Sequence, residues 1–220
     1  MTKYNYQDYF VNHLKFRYSS IGINKYEDWI HPQWKLINNI VKFNSKSKIL
    51  EIGSGIGGIY SLLKKNGDYQ GYVGLELDSK ACDYSNKYFH TSCFKNISIE
   101  SLDVNNKYDA VIALEVLEHL NNPFQSVKKI FRLLNTNGFF IASTPYPYKK
   151  NVLADKSHRY VLHPSNWYKL LSEQGFRNIK LYPMSFIPYI WKINKHLNFR
   201  IPFYVPFKYF ISTCLIIAYK

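Results

Sequence analysis

The sequence predicts an α/β protein: a doubly wound sheet of seven strands with helices on both faces, three layers in all. Three observations carry that expectation. Short apolar runs alternate with stretches of helical period, the rhythm of parallel βαβ units. One run, Tyr108–Leu114, is apolar almost throughout, as a strand buried on both faces of a parallel sheet requires. Carboxylates close three successive strand candidates, Glu51, Glu76 and Asp103. In such a sheet these ends share one rim, where ligands bind.

Residues 1–30 mix Tyr4, Tyr6, Tyr9, Phe10 and Trp29 with Lys and Asn, without a clean period. Pro32 is placed to open a helix carrying Leu36, Ile37, Ile40 and Val41. Asn44–Lys48 leads into strand one. Ile59, Leu62 and Leu63 stripe the next helix, which Asn66-Gly67 ends. Strand two is Tyr72–Leu75, and a helix with Ala81 and Cys82 starts near Ser79, where Asp78 suits the N-cap. Strand three is read as Ile97–Leu102. After Tyr108–Leu114, Asn122-Pro123 caps a helix with Val127, Ile130, Phe131 and Leu134 inward. Asn135–Gly138 turns into strand five, Phe139–Ser143. Ser165–Gln174 is a helix closed by Gly175, and Phe176–Tyr182 is strand six. Residues 183–206 then break pattern as an aromatic and basic insertion punctuated by Pro183, Pro188, Pro202 and Pro206, before a last strand, Tyr209–Ala218.

Residues 48–58 read Lys-Ile-Leu-Glu-Ile-Gly-Ser-Gly-Ile-Gly-Gly. Ile49, Leu50 and Ile52 suit a buried strand. Gly53, Gly55, Gly57 and Gly58 suit a tight turn, where a Cβ would collide with a ligand or forbid the required φ. Such turns serve dinucleotides, phosphates and nucleosides alike. Glu51 narrows the choice, because a pyrophosphate site has no use for a negative charge there. Glu76 stands at about the spacing at which an acidic residue grips ribose hydroxyls.

Glu51-Ile-Gly53-Ser54-Gly55-Ile-Gly57, followed by Gly74-Leu-Glu76-Leu77-Asp78, resembles the class I S-adenosylmethionine (SAM)-dependent methyltransferases. Tyr108-Asp-Ala-Val-Ile-Ala-Leu-Glu-Val-Leu-Glu-His119-Leu is similar to the fourth-strand block of their ubiquinone-biosynthesis-like small-molecule branch. The likeness spans roughly residues 30–182. It implies a Rossmann-like sheet, mostly parallel, that ends in an antiparallel hairpin. It also implies a variable N-terminal cap over residues 1–30, and an insertion at 183–206 that lids the acceptor pocket. SAM is the implied cofactor, and no metal is expected.

The resemblance also implies roles. Gly53, Ser54, Gly55 and Gly57 would lie along the methionine end of SAM, with Glu51 facing its amino group. Glu76 would take both ribose hydroxyls, with Leu77 beside it. Asp103 would accept from the adenine amino group, Val104 would lie against the ring, and Leu114 and Glu115 would line the methionine side. Methyl transfer is an in-line displacement, so orientation supplies much of the catalysis. A base is needed only where the acceptor must lose a proton. His119 follows strand four and His158 lies in the loop after strand five; either can take a proton near neutral pH, and either can be a structural histidine instead. Arg159 is a candidate anion clamp, and Tyr146, also after strand five, a candidate acceptor contact.

Strand four ends in Ala-Leu-Glu115, unlike the Asn/Asp-Pro-Pro-Tyr of adenine-amino methyltransferases; Thr144-Pro-Tyr-Pro147 follows strand five instead. No Pro-Cys nucleophile is present. The expected reaction is methyl transfer to a small-molecule, glycan or lipid-linked acceptor, at oxygen rather than nitrogen. The rivals are an RNA or protein methyltransferase, an NAD-type oxidoreductase and a non-catalytic SAM-fold binding protein. The net charge of +14 admits nucleic acid or a membrane surface as partner, although the basic residues are scattered and Lys outnumbers Arg. The 183–206 segment also suits peripheral membrane contact. Cys82, Cys93 and Cys214 show no paired spacing, which argues against a disulfide framework or zinc site. The polar N-terminus and the lack of a long apolar run point to the cytoplasm.

Overall fold

The computed structural model describes residues 18–67, 69, 71–149, 152, 155–187, 200–207 and 210–220. In chain order, α1 is Ser20–Ile40, β1 Ile49–Ile52, α2 Gly58–Lys64, β2 Tyr72–Leu75, α3 Ser79–Tyr88 and β3 Phe94–Lys95. β4 is Tyr108–Leu114, α4 Pro123–Leu133, β5 Leu134–Pro145, α5 Pro164–Glu173, β6 Arg177–Phe186 and β7 Ile211–Tyr219. Short 3₁₀ turns occupy Ile99–Ser101 and Leu117–His119.

The strands form one sheet in the order β3-β2-β1-β4-β5-β7-β6. Only β7 runs antiparallel to its neighbours, β5 and β6. Along β4, Ala110 and Ile112 face one core and Val111 and Ala113 the other, the two-residue alternation of a strand covered on both sides. The first face is covered by α1 and α2 through Ile30, Trp34, Ile37, Ile59 and Leu63; the second by α4 and α5 through Val127, Ile130, Trp167 and Leu171.

Four sequence expectations need correcting. Pro32 does not open α1; the helix starts at Ser20, with the Ser19 hydroxyl accepting from Gly22 N, and runs through Pro32. A mid-helix proline forfeits a hydrogen bond, at about 3 kcal/mol. Burial of Ile23, Ile30, Trp34 and Ile37 along one stripe offsets that loss. Strand three is not Ile97–Leu102 but the two residues Phe94–Lys95, paired with Gly74–Leu75. Ile97 and Ile99 do pack inward, but from a turn that Ser98 caps through Glu100 N. Leu134 begins β5 rather than facing inward from α4, and β5 pairs with β4 again from Phe139 after a bulge. β6 runs on to Phe186, with Pro183 on the sheet edge opposite Cys214, where proline is tolerated; the insertion therefore begins later than residue 183. Tyr4, Tyr6, Tyr9, Phe10, Pro188 and Tyr209 lie outside the described residues, as do Trp191, Lys192, Lys195 and Phe199.

Candidate active site

The turn after β1 is sewn to the end of β2. Gly53 N and Ser54 N both donate to the Leu75 carbonyl, at 2.8 and 2.9 Å. Gly53, Gly55 and Gly57 all have positive φ. At Gly57 the constraint is double: φ is +84°, and a Cβ would meet the Phe89 and Phe94 rings at 2.6 and 2.8 Å. Gly55 N then donates to Glu76 Oε2 at 2.8 Å, while Leu77 N and Asp78 N donate to Oε1 at 2.8 and 3.0 Å. Three amides thus hold the Glu76 carboxylate at the rim. Asp78 caps α3 through Lys80 N, as expected, and accepts from Tyr18. Leu77 is half exposed beside Glu76. Ser54 is turned inward against Gly74, so its hydroxyl does not face the rim.

Glu51 is buried, its Oε2 accepting from the Tyr72 hydroxyl. Burial pushes its carboxyl up to about 8; the Tyr72 bond opposes this and the Glu76 charge adds to it. A buried acid of this kind favours a cationic partner. Tyr26 reaches the same place from α1, its ring lying where a Gly58 Cβ would stand. Burial, then the charges of Glu51, Glu115 and Glu76, raise its phenol. Glu51, Glu76 and Glu115 therefore all lie close enough to Tyr26 for their charges to act on it. Gln33, two helical turns along from Tyr26, is wholly buried with its amide against Glu115, whose carboxyl it helps to lower.

Beyond β4 the chain turns sharply at Glu115, a non-glycine residue with φ of +54°, the sort of strain that functional sites hold. Its N–H donates to the Ser143 carbonyl at 3.0 Å, and Oε1 accepts from Ser143 Oγ at 2.7 Å and Thr213 Oγ1 at 2.9 Å. Leu114, just before it, is buried in the core. The next turn carries Glu118 and His119. The Glu118 carbonyl accepts from Arg159 N and Tyr160 N, at 2.8 and 3.0 Å, which clamps the loop after β5 onto this turn. His119 and His158 face each other with ring centres 5.0 Å apart. With the buried Glu118 they bring one heteroatom each within 4.8 Å of the others. Burial, then the Glu115 charge, holds the Glu118 carboxyl well above the usual range, while burial and then His158 lower His119.

The structure thus gathers Glu51, Gly53, Gly55, Gly57, Glu76, Leu77, Leu114 and Glu115 along one rim, and joins His119 to His158. Arg159 is exposed at the edge of this loop. Tyr146 stacks on Tyr204, and its hydroxyl pairs with His163 Nε2 at 3.2 Å. Asp103 and Val104 are not brought to the rim. Lys107 Nζ ties the Val104 carbonyl to that of Arg132, at the end of α4, beside the starts of β4 and β5, and exposed Asp103 bonds Asn105. The residue that closes β3 beside Glu76 is Asn96, whose Nδ2 donates to the Glu76 carbonyl at 2.9 Å. Sequence reading also missed Tyr26, Gln33, Glu118, Asp155 and Ser157; the helical spacing of Tyr26 and Gln33 was the available signal, hidden by Pro32.

A carboxylate held by three amides, a buried acid under a glycine turn and a cluster of Glu118 with two histidines thus stand at the carboxyl ends of the strands of a doubly wound sheet. The family model described as "Methyltransferase domain" matches residues 23–181, and the chain belongs to this family, whose members draw on S-adenosylmethionine. A methyltransferase from Penicillium decumbens is 26% identical over 71% of this chain and 52% of its own length. A ubiquinone biosynthesis O-methyltransferase from Rickettsia canadensis is 30% identical over 60% of this chain and 63% of its own. The chain thus spans about half to two-thirds of the length of these relatives. A SAM-dependent methyltransferase from Archaeoglobus fulgidus superposes with a TM-score of 0.67 at 19% identity, covering 98% of this chain and 100% of that one.

Proposed function

We propose that this protein transfers the methyl group of S-adenosylmethionine to an oxygen of a small-molecule, glycan or lipid-linked acceptor. The cofactor supplies an activated methyl on sulfonium sulfur. The residues fit it: Glu51 is a buried acid suited to the methionine ammonium, and Glu76 is fixed by three amides with a lone pair of Oε2 left for a ribose hydroxyl. The Gln33 amide, buried beside Glu115, would bind a polar group of cofactor or acceptor. Leu77, half exposed beside Glu76, and Asn96, bonded to the Glu76 carbonyl, would flank the adenine.

The observation that carries transfer to oxygen is the pairing of His119, on the turn after Glu115, with His158 from the loop after β5, because a hydroxyl acceptor must lose its proton. The name of the Rickettsia canadensis relative also specifies oxygen. His119 is the base in this reading and His158 its partner; Arg159 and Tyr146 would contact the acceptor. Phe203 and Phe207, both well exposed, support peripheral membrane contact by the late aromatic segment, and flotation with anionic liposomes tests it: no association removes that part of the reading. Three free thiols support a reducing, cytoplasmic setting.

The test is calorimetric binding of S-adenosylmethionine and S-adenosylhomocysteine, then radiolabelled methyl transfer to a panel of phenols, carboxylates, amines and RNA. Binding weakened at least about tenfold in Glu76→Ala, as expected for lost bonds to a charged group, with label on an oxygen acceptor, supports the reading. Label on amines or RNA instead overturns it.

A further inference from the structure

We propose that Asp155 and Ser157 are positioning residues: a hydrogen-bonded chain from Asp155 through Ser157 fixes the tautomer in which His119 presents a bare Nε2 to the acceptor. This rests on the reading of His119 as the base for transfer to oxygen. Ser157 Oγ lies 2.6 Å from Asp155 Oδ1 and 2.9 Å from His119 Nδ1. A serine hydroxyl holds one proton. The shorter contact runs to a carboxylate, which has none to give, so the Ser157 proton lies on the Asp155 side. The contact to Nδ1 then takes its proton from the imidazole. Neutral His119 therefore carries its proton on Nδ1 and its lone pair on Nε2.

The chain is built into the fold. Asp155 and Ser157 are buried, and Asp155 Oδ1 also accepts from Ser157 N at 2.7 Å. The same loop is clamped to the Glu118 carbonyl by two amides, so the relay and the histidine it orients move as one unit. The groups facing His119 are Glu118 on its own turn, whose Oε1 is 3.8 Å from Nε2, and Asp155 and His158 from the loop; Glu115 stands behind Glu118. Burial and His158 lower the His119 pKa, while Asp155 and the Ser157 backbone raise it.

In the reaction, the acceptor O–H gives its proton to Nε2 while the oxygen lone pair forms the O–C bond. The cofactor, when bound, would supply the methyl and keep the electron pair of the broken C–S bond, and the His119 imidazolium would later release the proton to water. Throughout, Nδ1–H stays directed at a serine oxygen that Asp155 polarises, so the positive charge forming on the ring meets a fixed dipole and a carboxylate.

The experiment is ¹⁵N-histidine NMR of the full chain bound to S-adenosylhomocysteine, with His119 assigned through His119→Asn. The expected result is Nδ1–H with a bare Nε2 in wild type and in Ser157→Thr, and a shift toward the Nε2–H form in Ser157→Ala. In the methyl-transfer assay, Ser157→Ala and Asp155→Asn lower kcat by about ten- to a hundredfold, within what a base contributes. Asp155→Asn also moves the acid limb of the kcat/KM profile to lower pH, because a charge that raises His119 is gone. A wild-type Nε2–H tautomer, or a tautomer unchanged in Ser157→Ala, overturns the relay alone. A Mg²⁺- or Zn²⁺-induced shift at Nε2, with transfer lost to a chelator, overturns it by making His119 a cation ligand. Wild-type transfer by His119→Asn overturns the base reading, and the relay's purpose with it.

Discussion

Glu51 is an acid under a turn of glycines, held near a pKa of about 8 by burial. When a ligand ammonium arrives, the charged carboxylate becomes the better partner and the proton leaves. Binding of S-adenosylmethionine near neutral pH should therefore release up to about one proton. Calorimetry in buffers of different ionisation enthalpy reads that release, and Glu51→Gln should abolish it. Glu51 and Glu76 were legible because each follows directly from a strand whose apolar pattern is unambiguous. Asp103 was misplaced because its role depended on a strand end that local pattern put seven residues too late, at Leu102 rather than Lys95. Ser157 and Asp155 were illegible as a site, since nothing in a loop sequence says which turn it will be clamped against.

At the scale of elements, the β1–α2 turn depends on Gly57 more than on any side chain. Gly57→Ala should destabilise the protein by about 1–3 kcal/mol through left-handed strain, and by more if the Phe89 and Phe94 rings cannot move; chemical denaturation measures it. SAM affinity should fall with it, because the same turn presents Gly55 N to Glu76. Ile30→Ala, which opens a cavity under α1, should cost about 2–5 kcal/mol in the same experiment. The helices with clean caps, Asn122-Pro123 and Asp78-Ser79, were read correctly because the cap chemistry is local. α1 was read short because Pro32 is a strong local stop that tertiary burial outweighs. β3 was read in the wrong place because Ile97 and Ile99 alternate like a strand while being buried from a turn.

For the whole molecule, the buried carboxyls set the response to pH. Glu51, Glu115 and Glu118 all hold their protons more tightly folded than unfolded. Their unfolded forms ionise from about pH 4.5, so stability should fall as pH rises from there to about 8, where folded Glu51 finally ionises. His119 works in the other direction, costing stability below its unfolded value of 6.5. Thermal melts of the ligand-free protein should thus show stability falling from about pH 4.5 to about 8, a slope that Glu51→Gln flattens. Among the described residues, no helix is long and apolar enough to cross a membrane. The sequence by itself determined the sheet's central strands, the glycine turn and the two carboxylates at its sides. Those features are written in short-range periodicity, backbone permissiveness and charge. Tertiary structure alone decided which residues meet across the rim: Tyr26 and Gln33 from α1, Asn96 at the end of β3, and the Asp155–Ser157–His119 chain. These contacts join segments far apart in sequence, and burial and hydrogen-bond geometry select them only once the whole sheet has closed around its two cores.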